Sequence, residues 1–469
     1  MGSLTQDMAK FVAEIKFEDL PKAAIHEARR TILDSIGCGL AGITSDKGKI
    51  AIGLSRRLGG PPESTIIGVG DKVSCNSAAF ANGELINALD YDSLLPPIGH
   101  VSPCVIPASL AIAESSEASG KDLILGTVIG HEIAARIALV LPPIVEVAEK
   151  GPEQESIRWS ETYGLGNIFG GVASTGKIVK LDYEKMSHVL GIAGHFRPVS
   201  MFGKWIETMP SAMTKYASAG WISSAVVIST LLAQMGYIGD TTVLDSDGLQ
   251  ERCASQNWGP NTIMDKIGEK WLFLNMEYKP YPCCRGLHGG LDAFISLIDQ
   301  YDLEPDDIES VKAFCHPLAS KPLWQTREIT NHVDAQFSFP YCFAVAAHRI
   351  KVGADWQDLA TMEDPKIIEF MNKVSCQIHP KFAEYYKDPR SRVGMVEVVA
   401  KGKTFREERK YYKGTPFTDF QITDEELVEK FRNNASRILT QEKVDKVIES
   451  LFELENIENV AELMKQVSL

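Results

Sequence analysis

The sequence lacks the features that mark several common classes of protein. It has no run of about eighteen apolar residues without charge, which a membrane-spanning helix requires. The N-terminal MGSLTQDMAKFVAEIKFEDL contains acidic residues and no apolar core, so we predict no secretory signal. The net charge of −14 disfavours non-specific binding to nucleic acid or anionic membranes. We therefore expect no nucleic-acid or membrane partner and a cytoplasmic location, with the mitochondrial matrix as the alternative.

Cysteine and glycine patterns for metals and nucleotides are also missing. Nine cysteines are scattered along the chain without a CxxC pair, and the adjacent Cys283 and Cys284 are poorly spaced for a metal centre. Free thiols in a reducing compartment are the simpler interpretation. Gly164-Leu165-Gly166 does not complete GxGxxG, and no P-loop is present. The sequence therefore predicts neither a metal site nor a nucleotide site.

Residue periodicity predicts a mainly α protein with an α+β insertion. At 469 residues the chain exceeds one typical domain. We predict a large helical domain formed by both chain ends (1–266 and 415–469) and a smaller α+β domain (267–414). Apolar spacing predicts helices at 5–16, 29–42, 121–141, 183–195 and 211–236. Extended segments are predicted at 271–274, 308–314, 374–378, 392–401 and 404–410.

One polar stretch interrupts the apolar helices. Between Leu89 and Val105 lie Asp90, Asp92 and His100, on a path stiffened by prolines. Proline cannot continue a helix, so the first helix should end near 89–92 and the second should begin at Ser102, with Ser102 as N-cap. Two carboxylates and an imidazole between buried elements suit general acid–base chemistry. The alternative is a solvated loop whose polar groups cap the helices.

Four separated motifs point to a family. ALDYDS…GHVSP (88–103), KPYPCCRGLH (279–288), AQFSFPYCFAVA (335–346) and KGTPFTDFQITDEELVEKF (413–431) together resemble the MmgE/PrpD family. Members include 2-methylcitrate dehydratase, cis-aconitate decarboxylase and iminodisuccinate epimerase. The likeness runs in order along nearly the whole chain. It implies a large helical domain, a smaller α+β lid domain, a homodimer and an active site in the cleft between domains, without a metal or organic cofactor.

The resemblance also implies functional residues. It assigns Asp90 to orientation within the site, His100 to proton transfer, Lys279 to substrate-carboxylate binding or protonation, and Tyr341 to closure from the lid. The alternatives are a solvent-facing Lys279 and a core Tyr341. Arg285 and His288 stand three apart where a helix should begin, a position that favours anion binding. Taken alone, His288 is more often a capping or packing residue.

Three positions depart from the family pattern. Leu94 occupies the position of a threonine, Glu161 that of a histidine, and Met209 that of a lysine. Lys204 and Lys215 are near enough in sequence to supply a displaced cation. We expect a lyase, most simply a dehydratase, that acts on a small hydroxy- or unsaturated di- or tricarboxylic acid. The alternatives are decarboxylation or epimerisation in the same pocket, and a ligand-binding protein without catalysis.

Overall fold

The computed structural model describes residues 3–142, 145–148, 156–159, 162–197, 199–245, 258–385, 387–388 and 390–469. Glu161 lies outside these ranges. The prediction of a mainly α protein is confirmed. Among the described residues, no helix combines the length and the apolar character needed to cross a bilayer.

Helices make up most of the described chain before residue 245. They are α1 (Leu4–Glu14), α2 (Lys22–Gly42), α3 (Asp46–Leu58), α4 (Cys75–Ile86), α5 (Ser102–Ser115), α6 (Gly120–Ala138), α7 (Leu165–Ile178), α8 (Tyr183–His195) and α9 (Ala219–Gln234). Two small antiparallel pairs interrupt them, β1 (Ser64–Thr65) with β2 (Lys72–Val73), and β3 (Val145–Ala148) with β4 (Ser156–Trp159). The periodic apolar residues are largely buried, for example Met8 and Val12 of α1.

The predicted helix at 211–236 is shorter than expected. It begins only at Ala219, because Ser218 accepts a hydrogen bond from the Trp221 amide and acts as the N-cap. Before it, Lys215 adopts a left-handed backbone with a φ of 51°. The polypeptide between 206 and 218 is therefore irregular, and this irregularity places Lys215 and Tyr216 beside the polar stretch described below.

The second half of the chain contains the predicted strands. In the sheet of order β6-β5-β7-β8, β5 (Ile308–Cys315) runs parallel to β6 (Val374–Ile378) and antiparallel to β7 (Gly394–Ala400), which pairs antiparallel with β8 (Lys403–Arg409). The main helices are α10 (His288–Gln300), α11 (His332–Phe337), α12 (Phe339–Ala347) and α13 (Pro365–Met371). The predicted extended segment at 271–274 is wrong: Leu272–Asn275 is a 3-10 turn whose Phe273 amide donates to the buried carboxylate of Glu132.

The C-terminal helices return to the N-terminal ones. They are α14 (Asp424–Ala435), α15 (Gln441–Phe452) and α16 (Val460–Gln466), and α14 opens with a capping box formed by Thr423 and Glu426. Lys430 of α14 forms an ion pair of 2.7 Å with Asp34 of α2. A Cβ on Gly37 would lie 2.9 Å from the Phe431 ring, so α2 and α14 pack in close contact.

Buried apolar residues form two clusters, one mostly from the helical parts and one mostly from 283–400. Tyr163, Phe202, Trp205 and Tyr216 belong to the second cluster although they precede it by many residues in sequence. The domain boundaries at 266/267 and 414/415, and the description of residues 267–414 as a lid, stay predictions.

Helices α6 and α7 depend on glycine for their close approach. A Cβ on Gly170 would lie 2.2 Å from the Gly130 carbonyl oxygen and 2.7 Å from the Ala134 Cβ. We expect Gly170→Ala to lower the free energy of unfolding by about 1–3 kcal/mol, because both obstacles belong to packed helices. Urea denaturation measures the change.

The matched control is Gly53→Ala. Gly53 lies in α3, and a Cβ added there would point into open space, so alanine should be neutral or stabilising by up to about 1 kcal/mol. A Gly170→Ala variant as stable as the wild type would contradict the packing described for α6 and α7.

Candidate functional site

The polar stretch between α4 and α5 folds as a buried loop. Helix α4 ends at Ile86, three residues before the predicted Leu89, and α5 begins at Ser102 as predicted. The predicted capping role of Ser102 is wrong, since Val101 is the N-cap. The Ser102 hydroxyl instead lies 2.8 Å from the Ser93 hydroxyl and 3.1 Å from Nε2 of the buried His131. The solvated-loop alternative fails because Asp90, Asp92 and Ser93 are almost fully buried.

A short backbone pairing joins this loop to the segment that carries Lys279. Leu94 and Glu277 exchange two backbone hydrogen bonds of 2.8 Å each. The pairing brings residues nearly two hundred positions apart in sequence to neighbouring points in space. Lys279 therefore reaches Asp90, with its ammonium 2.5 Å from Oδ2 and 2.6 Å from the backbone carbonyl oxygen.

Asp90 is the most highly coordinated carboxylate of the loop. Besides Lys279, it contacts the ammonium of Lys215 at 3.3 Å and accepts a 3.1 Å hydrogen bond from the Tyr216 hydroxyl. Asp90 has a left-handed backbone with a φ of 54°. Burial alone would raise the pKa of Asp90, but Lys279 and Lys215 outweigh it and hold that pKa well below its ordinary value. Asp90 is therefore ionised at neutral pH.

Lys215 is buried against the same carboxylate. Its ammonium also donates a 2.7 Å hydrogen bond to the Asn87 carbonyl oxygen. Burial lowers the pKa of Lys215 to about 8, although Asp90 opposes the change. Lys215, one of the two displaced cations considered from the sequence, thus joins the cluster, whereas Lys204 is exposed.

His100 and Asp92 form a second pair in the loop. Nδ1 of His100 lies 2.6 Å from Oδ2 of Asp92, and an ionised carboxylate can only accept, so Nδ1 carries the proton. The imidazole stacks on Tyr216 with 4.8 Å between ring centroids, and its Nε2 lies 3.7 Å from Asp90 Oδ1. Burial lowers the pKa of His100, with Asp92 opposing, so the ring is neutral at neutral pH with its lone pair on Nε2.

A cavity of about 270 Å³ opens beside these residues. Asp90 and His100 of the loop line it together with Tyr216, Arg285 and Arg392. The guanidinium of Arg285 also donates a 2.6 Å hydrogen bond to Glu277, which fixes its position. The cavity therefore presents a neutral base, an ionised carboxylate and two cations to one small volume, slightly below the usual range for small-molecule sites.

The structure brings together three of the six predicted site residues around the cavity and places the others behind it. Asp90, His100 and Arg285 line the cavity. Lys279 is fully buried beneath Asp90 and is not part of the lining. His288 is buried, 3.1 Å from the Cys283 carbonyl oxygen and packed between tyrosine rings, and the Tyr341 hydroxyl donates to the Trp356 carbonyl oxygen. These two contacts match the packing alternatives for His288 and Tyr341.

Sequence reasoning did not assign several lining residues to the site. They are Tyr163, Phe202, Tyr216, His316, Trp324 and Arg392. Isolated tyrosines and arginines carry no local signal, because their proximity arises only from tertiary packing. Of the three departures from the family pattern, Leu94 lines the cavity, Met209 is 37% exposed and does not line it, and Glu161 lies outside the described residues.

Comparison with models of known protein families identifies the same family as the four sequence motifs. The MmgE/PrpD N-terminal domain matches residues 6–260, and the MmgE/PrpD C-terminal domain matches residues 281–454. The chain, with its helical fold and buried Asp90–His100 loop, belongs to the MmgE/PrpD family.

Curated relatives include enzymes of two kinds. Cis-aconitate decarboxylase-like protein oryM of Aspergillus oryzae is 24% identical over 100% of this chain and 98% of its own length. Human cis-aconitate decarboxylase is 25% identical over 99% of this chain and 94% of its own length. The mitochondrial 2-methylcitrate dehydratase of Yarrowia lipolytica is 21% identical over 95% of this chain and 86% of its own length.

The His100–Asp92 pair makes a prediction about titration. Asp92→Asn should lower the pKa of His100 further below 6.5, because the carboxylate stabilises the imidazolium charge and partly offsets burial. Nitrogen-15 NMR of histidine-labelled protein measures the titration, with the His100 signal assigned from His100→Gln. The control is Asp445→Asn at the exposed ion pair with Arg432, which should leave the His100 pKa unchanged. An unchanged or higher His100 pKa in Asp92→Asn would contradict the pairing.

Proposed function

We propose that this protein is a lyase that removes water from a small hydroxycarboxylic acid, without help from a cofactor. The observation that carries the proposal is the neutral imidazole of His100, oriented by Asp92 and facing a cavity that also contains Arg285 and Arg392. A neutral buried imidazole is suited to accept a proton, and guanidinium groups bind carboxylates by paired hydrogen bonds.

In the proposed reaction, Nε2 of His100 removes the proton α to a substrate carboxylate. Asp92 stabilises the imidazolium that forms, as the carboxylate does in other histidine–carboxylate pairs. Arg285 and Arg392 stabilise the negative charge that develops on the carboxylate, in a site where low solvent access strengthens their attraction. The electron pair of the C–H bond becomes the new C=C bond, and hydroxide leaves from the β carbon and takes up the proton held by His100, so that water is released.

Asp90, which lines the cavity, and the two lysines buried behind it support this step. Lys279 contacts Asp90 and is not a lining residue, so we assign it a positioning role in place of direct carboxylate binding. Tyr216 lines the cavity and donates to Asp90, and burial together with Asp90 raises its pKa well above the ordinary value. Its hydroxyl therefore stays protonated and keeps its proton directed at Asp90, which holds the ring that stacks on His100.

Decarboxylation is the second candidate, because the decarboxylase relatives match nearly the whole chain. In that reaction His100 must first carry a proton on Nε2 and then deliver it to the carbanion left by carbon dioxide. Asp92 and Asp90 both favour the imidazolium form. A neutral His100 in the free protein supports dehydration more directly, since a base is needed first.

The alternative outside the enzymes is a protein that binds a carboxylic acid without catalysing a reaction.

The homodimer implied by the family resemblance and the cytoplasmic location also stay predictions.

The test has two stages, a screen for acids that bind the protein and an analysis of the product formed from them. A thermal-shift screen of di- and tricarboxylates should identify an acid that raises the melting temperature, because it binds only the folded chain. Incubation of that acid in heavy water should then give an alkene for dehydration and carbon dioxide for decarboxylation. Exchange of the α hydrogen alone would indicate epimerisation.

His100→Ala should reduce turnover by about 10²–10⁴-fold, the usual contribution of a general base, in protein that circular dichroism shows to be folded. Lys121→Ala, on the exposed surface of α6, is the control and should retain full turnover. Retention of full turnover by His100→Ala would rule out the proposed base.

A further inference from the structure

The geometry points to a narrower class of substrate: an acid that carries an apolar substituent, with its carboxylate on the two arginines and its apolar arm on an aromatic wall. This inference rests on the proposed function, because it assigns a ligand to the same cavity. It goes further because it assigns the carboxylate of the substrate to the two arginines and the hydrocarbon part to the apolar lining residues.

The anionic end of the substrate is assigned by Arg285 and Arg392. Burial lowers the pKa of His316 to about 3, and the positive charges of Arg392 and Arg285 contribute to that lowering. The His316 ring therefore stays neutral and adds no charge of its own. His316 lines the cavity together with Arg285 and Arg392, so the lining offers an anion two cations and a neutral hydrogen-bonding ring.

Apolar side chains form another part of the cavity surface. We define the aromatic wall as Phe202, Trp324 and Phe337, which ring contacts join through Trp205, together with the apolar lining residues Leu94 and Leu318. All five line the cavity and are at most 8% exposed.

The aromatic wall is held in a fixed shape. Phe337 packs edge-on against Trp324 at 5.5 Å and against Trp205 at 5.0 Å between ring centroids. Phe202 stacks with Tyr163 at 6.1 Å. Leu94 is held by its two backbone hydrogen bonds to Glu277. A rigid apolar surface of this kind is complementary to an alkyl or alkenyl group.

A second carboxylate or a hydroxyl against this wall would be unfavourable. Among the described lining residues, the cationic side chains are Arg285 and Arg392 on the anion-binding side, and the imidazoles of His100 and His316 are neutral. A charged group moved from water onto the wall would lose its hydration without a partner. A hydrocarbon arm would gain free energy from the same transfer, roughly fourfold in affinity for each buried methylene.

The test is a series of monocarboxylic acids that share one anionic end and differ in the length of the hydrocarbon arm. Binding of propionate, butyrate, pentanoate and hexanoate is measured by isothermal titration calorimetry on the full chain. We expect affinity to rise by about two- to fourfold with each added carbon until the cavity is filled. Arg392→Gln should weaken all four acids alike, because it removes one partner of the shared carboxylate.

Variants of the wall separate this inference from its alternatives. Leu94→Asn, close in shape but polar, should flatten the series and affect propionate, the acid with the shortest arm, least. Leu318→Ala provides a second variant if Leu94→Asn lowers the melting temperature too far to be studied. The matched control is Leu359→Asn, because Leu359 is 64% exposed, and it should keep the wild-type series.

The outcomes distinguish the two proposals. Affinity that rises along the series and flattens in Leu94→Asn supports the apolar arm. Affinity that is equal or falls along the series, with Arg392→Gln still weakening every acid, overturns the apolar arm and leaves the proposed lyase intact. Failure of all four acids to bind, together with turnover of a more polar acid found in the screen, also overturns it. If no acid binds and none is turned over, both proposals fail.

Discussion

The buried carboxylate of Asp90 is the group on which the rest of the site depends. It is almost inaccessible to water and lies between the ammonium groups of Lys279 and Lys215. A lone charge in this position would cost several kcal/mol, so each of the three groups requires the others. The resulting cluster fixes Tyr216, and Tyr216 in turn stacks on His100, so the orientation of the base follows from an ion cluster that does not react.

Three irregular segments, not the long helices, bring this cluster together. Asp90 belongs to the loop after α4, Lys215 to the segment before α9, and Lys279 to the segment joined to the loop by Leu94 and Glu277. Asp90 and Lys215 both take left-handed backbone conformations, which ordinary side chains seldom adopt. The helices act as a rigid frame, and the strained connections point the charged side chains inward.

The sequence predicts this frame better than it predicts the cavity. Apolar periodicity identifies Tyr183–His195 and Val374–Ile378 with their observed bounds, since regular elements repeat every few residues. Motif resemblance finds Asp90, His100 and Lys279, but it suggests contact between Lys279 and substrate, whereas the structure places Asp90 between Lys279 and the cavity. Tyr216, Arg392 and Trp324 follow from long-range packing, which leaves no local pattern. The prediction that this helix begins at 211 is wrong for a related reason. Lys215 takes a left-handed backbone and pairs with the distant Asp90, and this tertiary contact overrides local helix propensity.

A double-mutant cycle between Asp90 and Lys279 tests the central claim most directly. Asp90→Asn should lower the free energy of unfolding by about 3–5 kcal/mol, because it leaves the buried ammonium groups of Lys279 and Lys215 without a counter-charge. Lys279→Met should lower it by less, because Lys215 still pairs with Asp90. The double variant should lose much less than the sum of the two, since it removes both members of the pair. Losses that add to within about 0.5 kcal/mol would show that the two groups are not coupled, and would contradict the account.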